Sequence, residues 1–206
     1  MKRGLLVDFG GVLTTNVFQS FKQFAVEEGL PPDTIKRAFK EDREALALLR
    51  RLEKGELDAP EFEPLFAERI GVRGDRVEGL VERLFAGVGP EDRMLGAVKA
   101  AHDNGIRTGL ISNSWGGSGI HYDGTPLEEL FDAVVISGDV GMHKPQPEIF
   151  LLGAERIDVP PEECVFVDDL RENCAGAEAV GMTAILHRGP ESTLPELEKL
   201  LPIAAR

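Results

Sequence analysis

The stretch Gly4-Leu5-Leu6-Val7-Asp8-Phe9-Gly10-Gly11 is apolar up to one carboxylate and then breaks at two glycines. An apolar run of that length reads as a strand from Gly4 to Phe9, buried on both faces of a parallel sheet. Met1-Lys2-Arg3 ahead of it suggests a signal peptide at first sight. The apolar part is too short for one and runs straight into Asp8, so a strand is expected and the cytoplasm is the expected location. Asp8 therefore stands at a strand end, followed by residues that let the backbone approach a ligand and offer N–H donors. A nucleophile, a metal ligand and a turn-capping aspartate all fit that position.

Working outward, the pattern changes to helical from about Val17 to Phe85. Phe18, Phe21, Phe24 and Ala25 recur at helical spacing, and Gly29 with Pro31-Pro32 stops that helix. Asp33 or Thr34 caps a second, expected to run on to Leu52, and Gly55 breaks it. Asp58 or Ala59-Pro60 opens a third, and Val77 to Phe85 makes a fourth. Four short helices can bury their apolar stripes as a small bundle. Beyond Pro90, helices and strands alternate. The expected strands are Arg107 to Ser112, Ala133 to Ser137, Glu163 to Asp168 and Met182 to His187, and the intervening helices include a short one at Leu127 to Leu130. Alternation with buried strands predicts a doubly wound, Rossmann-like parallel α/β sheet. The expected division is an α/β core from residues 1–15 and 88–206, with a helical cap, residues 16–87, inserted after the first strand. Thr14-Thr15-Asn16 and Gly87-Val88-Gly89 are the expected hinges.

In an open parallel sheet, chemistry gathers outside the carboxyl ends of the strands. That rule selects Asp8, Ser112-Asn113, the loop after Ser137, and Asp168-Asp169. Neighbouring side chains on an extended chain point to opposite sides, so one of Asp168 and Asp169 can face a metal while the other braces a loop. With Asp8 it makes a hard-oxygen site suited to Mg²⁺. Ser112 and Asn113 suit either an anion or a simple turn. Lys144, in a stretch that Pro145 and Pro147 fix just before a helix, is a point cation for a phosphoryl oxygen or a carboxylate, where a solvated loop lysine is the plain alternative.

Taken in order, Asp8-Phe9-Gly10-Gly11-Val12, Ile111-Ser112-Asn113-Ser114, Lys144-Pro145 and Phe166-Val167-Asp168-Asp169 resemble the four-motif signature of the haloacid-dehalogenase-like superfamily. The resemblance spans nearly the whole chain. Gly55-Glu56-Leu57 ahead of Phe62 is similar to members of the type found as the amino-terminal phosphatase domain of epoxide hydrolases. The resemblance implies that Asp8 attacks phosphorus and forms an aspartyl-phosphate. It implies Mg²⁺ held by the Asp8 carboxylate, the Gly10 carbonyl and Asp169. Asp168 would brace the loop, or the two would exchange roles. Ser112 and the Asn113 backbone would bind phosphoryl oxygens, and Lys144 would orient Asp8 and offset developing charge.

One position departs from the pattern. Phosphatases of this class carry a second aspartate two residues after the nucleophile, which protonates the leaving group and activates water, and here that residue is Gly10. Such a group is worth about 10²–10⁴-fold. The implied activity is a phosphatase acting on a small phosphorylated molecule, using good leaving groups or recruiting another group from the cap or the substrate. The alternatives are a weakened regulatory or binding member, and a phosphonatase or dehalogenase. A phosphonatase needs a cap lysine, and Lys22, Lys36, Lys40 and Lys54 are available.

Charge limits the partners. Lys and Arg number 23 against 36 Asp and Glu, a net charge of −13, which argues against nucleic acid and anionic membrane. A phosphate site on such a chain must create its own local positive potential. Two cysteines are too few for a disulfide framework; Cys164 is expected buried and Cys174 mildly exposed. His102, His121, His143 and His187 lack ligand spacing and are expected at the surface or in loops. The phenylalanines of residues 18–85 are expected to form bundle core, with one or two near Phe18 lining the site. Trp115, in a glycine-rich loop, either covers the substrate or packs.

Overall fold

The protein is described by a computed structural model covering residues 2–113 and 130–201. Trp115, His121 and the first three residues of the expected helix at Leu127 lie outside the described residues; Leu130 is helical and buried. Among the described residues, no helix is long and apolar enough to cross a membrane.

The five strands are β1 (Gly4–Val7), β2 (Arg107–Ser112), β3 (Ala133–Ile136), β4 (Cys164–Asp168) and β5 (Thr183–Leu186). They form one parallel sheet in the order β3-β2-β1-β4-β5. The period of two divides each central strand between two cores. Leu5 and Val7 of β1, with Val165 and Val167 of β4, face one apolar cluster; Leu6, Cys164 and Phe166 face the other. The first is covered by α6 (Asp92–Asp103) and α10 (Pro190–Leu200), the second by α8 (Pro147–Arg156) and α9 (Arg171–Ala179). The order reverses between β1 and β4, where Val7 pairs with Val167 and the Asp8 N–H donates to the Val167 carbonyl at 2.9 Å. That is the topological switch point, where the carboxyl ends leave a crevice.

Between β1 and α6 lie α1 (Val17–Glu27), α2 (Thr34–Glu41), α3 (Arg43–Glu53), α4 (Ala59–Ile70) and α5 (Leu80–Phe85), with a 3-10 turn at Gly74–Arg76. They share a separate apolar cluster that includes Phe24, Ile35, Phe62, Phe66 and Leu84. Fully burying such side chains contributes about 1.5–3 kcal/mol each. The helix expected from Thr34 to Leu52 is two helices. Asp42 between them is extended (φ −99°, ψ 110°) and accepts from the N–H groups of Glu44 and Ala45, while Arg69 of α4 binds its other oxygen at 2.6 Å. An aspartate that caps the next helix competes with continuation of the previous one. Asp58 caps α4 in a full capping box with Glu61. The chains entering and leaving this helical unit run side by side: the Thr15 N–H donates to the Gly89 carbonyl at 2.8 Å, and the Glu91 N–H to that of Leu13 at 2.9 Å.

Several sequence expectations shift. β1 stops at Val7, because the chain turns at Phe9, whose carbonyl accepts from Leu13 and Thr14. The short α7 (Ser137–Val140) follows β3 directly. Cys174 is buried under the sheet end rather than mildly exposed, and His187 is buried against Thr193, with Nδ1 and Oγ1 2.8 Å apart. Burial pushes the His187 pKa down.

Candidate active site

β1, β2, the loop before α8 and β4 deliver Asp8, Ser112-Asn113, Lys144 and Asp168-Asp169 to one crevice. Asp8 is buried at the switch point. Gly11 follows in the left-handed region (φ +77°), and a Cβ there would lie 2.7 Å from Asp169 Oδ2. The glycine thus allows both the turn and the close approach of the second carboxylate. The Gly11 N–H is anchored on Thr14 Oγ1 at 2.9 Å. Gly10 lines the crevice, and a Cβ on it would meet only Val17 Cγ2, at 3.5 Å.

Lys144 is the centre of the charge arrangement. Its Nζ lies 2.7 Å from Asp8 Oδ1 and 2.7 Å from Asp168 Oδ2, and it is fully buried. Asp168 is committed elsewhere too: Oδ1 accepts from the Leu170 N–H at 2.8 Å, and both oxygens accept from Asn173 Nδ2, at 3.0 and 3.1 Å. Asn113 clasps the lysine's backbone, accepting from the Lys144 N–H at 2.8 Å and donating to its carbonyl at 3.0 Å. The lysine is therefore held through both its side chain and its main chain. Ser112 is buried and lines the same space as Asp8.

Burial raises the Asp8 pKa to about 7; Lys144 opposes the shift, and Asp168 and Asp169 add to it. Burial also raises Asp169, to about 6, with Asp168 adding and Lys144 opposing. Burial works against the Lys144 ammonium, but the charges of Asp168 and Asp8 outweigh it and hold its pKa above the ordinary lysine range. Asp8, Asp168 and Asp169 each place an oxygen within 4.8 Å of the others. Three carboxylates against one ammonium leave two negative charges, and the donors are all hard oxygens, which fits a divalent cation such as Mg²⁺. Asp168 is saturated by hydrogen bonds, so Asp8 and Asp169 are the oxygens best placed to serve it.

Above this floor lies a cavity of about 460 Å³. Its upper wall comes from the helical unit: Val17, Phe18, Phe21, Phe39, Leu46, Leu49 and Phe85, with Lys36, Lys40, Arg50 and Glu53 among them. The aromatic lining is thus broader than the one or two residues expected near Phe18. Phe62 and Phe66 are core, as expected, and Phe66 passes its packing on to Phe39, a stacked ring 4.9 Å away. Of the cap lysines considered, Lys36 and Lys40 line the cavity; Lys22 and Lys54 are not among its lining residues. His143 does reach it, and its Nδ1 lies 2.9 Å from the Lys144 carbonyl.

The sequence reading missed three contributions: Asn173, the side chain of Asn113, and Glu53. Asn173 stands in the first turn of the helix after Asp168, a position where a partner for a strand-end carboxylate can be sought. Asn113 was assigned through its backbone, whereas its amide is what fixes Lys144. Glu53 carries no local signal beyond ending a helix ahead of Gly55.

A family model for haloacid dehalogenase-like hydrolases matches residues 2–181. Acyl-CoA dehydrogenase family member 10 of Mus musculus is 30% identical over 207 residues, 97% of this chain and 19% of that protein. Bifunctional epoxide hydrolase 2 of Mus musculus is 35% identical over 112 residues, 52% of this chain and 20% of that protein. The chain thus spans about a fifth of the length of these two relatives. Sesquiterpene phosphatase astK of Aspergillus oryzae is 25% identical over 156 residues, 73% of this chain and 78% of that protein. A haloacid-dehalogenase family enzyme from Bacteroides thetaiotaomicron, solved with magnesium and inorganic phosphate, shares the fold. Its TM-score is 0.66 at 23% identity, over 90% of this chain and 93% of that one. With the four strand-end motifs converging on one crevice and the family model covering most of the sequence, the chain belongs to the haloacid dehalogenase-like hydrolases.

Proposed function

We propose that the protein is a magnesium-dependent phosphatase that cleaves a small phosphomonoester through an aspartyl-phosphate at Asp8. The observation that carries this reading is the Asp8 carboxylate held 2.7 Å from a buried ammonium, close to the Asp169 carboxylate, at the floor of a cavity. Asp8 is the nucleophile. Lys144 keeps it oriented and offsets charge that develops on the phosphoryl oxygens. Ser112 and the Asn113 backbone receive those oxygens, and Asp168 holds Lys144 in place. Asp8, the Gly10 carbonyl and Asp169 would hold Mg²⁺, which when bound neutralises phosphoryl charge and brings the dianion up to a carboxylate. The magnesium and phosphate of the Bacteroides neighbour and the phosphatase name of the Aspergillus relative support this assignment.

Residues 16–87 act as the cap over a core of residues 1–15 and 88–206. Thr14-Thr15-Asn16 and Gly87-Val88-Gly89, which run side by side at Thr15 and Gly89, are the hinges, and closure excludes water from the aspartyl-phosphate. The aromatic wall favours a substrate whose alcohol carries an apolar or aromatic part, which can be buried against Phe21, Phe39 and Phe85.

The test is Mg²⁺-dependent release of 4-nitrophenol from 4-nitrophenyl phosphate, with Asp8→Asn as control. Activity that disappears with EDTA and with Asp8→Asn is expected. Folded protein that binds Mg²⁺ and gives neither a burst nor turnover on any phosphate ester would instead support the binding reading, which Gly10 favours. Turnover of haloacids or phosphonates in its place would identify the C–halogen or C–P alternative.

A further inference from the structure

The departure from the family pattern at Gly10 leaves a gap, where no side chain can exchange a proton with the leaving group. Among the described residues, the cavity is lined by four carboxylates: Asp8, Glu53, Asp169 and Glu172. Asp8 is the attacking group. Asp169 lies against Gly11 within the acidic cluster. Glu172 is exposed at the start of α9. Glu53 alone comes from the helical unit, on the side of the cavity facing the floor, where the part of a substrate beyond phosphorus must sit.

Its position is fixed from both sides. Glu53 is the last residue of α3, and its carbonyl accepts a hydrogen bond from Ser137 Oγ at the start of α7. Two residues later Gly55 takes φ +69° against Gly138: a Cβ there would come within 2.9 Å of the Gly138 carbonyl oxygen. The end of α3 is thus docked on α7, and this docking holds the carboxyl over the crevice.

Resting on the phosphatase reading, we propose that Glu53 is the general acid and base of this enzyme, supplied from the cap in place of the aspartate missing at position 10. In the first step an Asp8 oxygen bonds to phosphorus, and the bond from phosphorus to the ester oxygen breaks. The Glu53 carboxyl gives its proton to that oxygen, so that the alcohol leaves neutral. In the second step the Glu53 carboxylate takes a proton from water as the water oxygen bonds to phosphorus. The bond from phosphorus to Asp8 breaks, releasing inorganic phosphate and restoring the Asp8 carboxylate and the Glu53 acid.

The electrostatics agree with that task. Burial raises the Glu53 pKa to about 8; Lys144 opposes the shift, Asp8 adds to it and Arg50 opposes it. A carboxyl so placed is a proton donor near neutral pH and can still be deprotonated within a catalytic cycle. The charged and titratable groups that share its cavity are Asp8, Lys144, His143, Asp169 and Glu172 from the core, Arg50 on its own helix, and Lys36 and Lys40 from α2.

The experiment compares wild type, Glu53→Gln and His143→Gln on an alkyl phosphate and on 4-nitrophenyl phosphate, with Mg²⁺, across pH. In Glu53→Gln, kcat/KM on the alkyl ester should fall about 10²–10⁴-fold. The fall on the nitrophenyl ester should be less than about 10-fold, because that leaving group needs little protonation. The alkaline limb of the alkyl-ester profile should vanish. Gly10→Asp has room for its Cβ against Val17, and Gly10→Asp combined with Glu53→Gln should recover alkyl-ester turnover. Far-UV circular dichroism and binding of inorganic phosphate with Mg²⁺ verify that each variant is folded. Equal losses on both esters, a persisting alkaline limb, or a limb that disappears in His143→Gln instead would overturn the assignment to Glu53. An active wild type indifferent to Glu53→Gln overturns this proposal alone; a folded wild type that turns over neither ester overturns the phosphatase reading with it.

Discussion

The floor and the upper wall of the cavity are built by opposite means. The floor is made of strand ends and the turns after them, and its polar side chains interlock. Lys144 contacts two carboxylates, Asp168 accepts from a backbone N–H and from Asn173, and Asn113 ties down the lysine's backbone. The upper wall is made of helix faces carrying aromatic rings and long cations, packed on an apolar cluster of their own. Low-dielectric surroundings make a misplaced charge costly, so the floor admits one arrangement. Apolar packing is non-directional, so the wall tolerates change and can follow the shape of a substrate. The difference teaches that interlocked charges and adaptable apolar surface are supplied by separate segments, which face each other across the cavity and touch where the end of α3 meets α7.

The comparison breaks most sharply at Asp8 and Lys144. Asp8→Asn is expected to abolish turnover while keeping the fold, read as loss of product release beside an unchanged circular dichroism spectrum. The same substitution tests the charge balance. The folded pKa of Asp8 lies above its unfolded value of 3.8, so the metal-free native state binds more protons than the unfolded chain as pH rises from about 4 to about 7. Stability from this group is therefore full below pH 3.8 and is lost on rising through about 7. In EDTA, wild type should show that decline in Tm and Asp8→Asn a flatter profile, and added Mg²⁺ should raise the wild-type Tm. Lys144→Met should cost about 3–5 kcal/mol, because it leaves buried Asp168 without its counter-charge; urea titration measures it.

Smaller effects sharpen the contrast. Asn113→Ala removes two hydrogen bonds worth about 0.5–1.5 kcal/mol each and loosens Lys144, so kcat should fall more than KM changes. On the wall, Phe39→Leu should raise KM for aryl phosphates and leave the kcat of small phosphate esters close to wild type in steady-state assays. The smallest change is expected at Asp42→Ala. Loss of the α3 cap costs about 1 kcal/mol, seen as a modest Tm decrease with the site chemistry intact.

The floor was legible in the sequence because strands buried on both faces leave an unbroken apolar run, and the first carboxylate after it must sit at the sheet edge. Asp8 and Asp168-Asp169 stand out for that reason, and Ser112 and Lys144 fall into place once the strands are ordered. The helical unit was legible as helices but not in its joints. Asp42 at the break between α2 and α3 resembles any other surface aspartate until Arg69, 27 residues later, is seen to share its carboxylate.

By itself, then, the sequence determined the parallel sheet, the helical insert and the set of residues gathered at the strand ends, since these follow from periods of two and 3.6 residues and from the geometry of a doubly wound sheet. The tertiary structure alone decided how they interlock. Gly11 makes room for Asp169, Asn173 and Lys144 saturate Asp168, aromatic rings from three separate helices line one wall, and Glu53 is carried over the crevice by the contact of α3 with α7. Apart from the Asn173 contact with Asp168, each of these is a distance between segments well separated in the chain. Such distances are set by packing, which no local pattern of residues records.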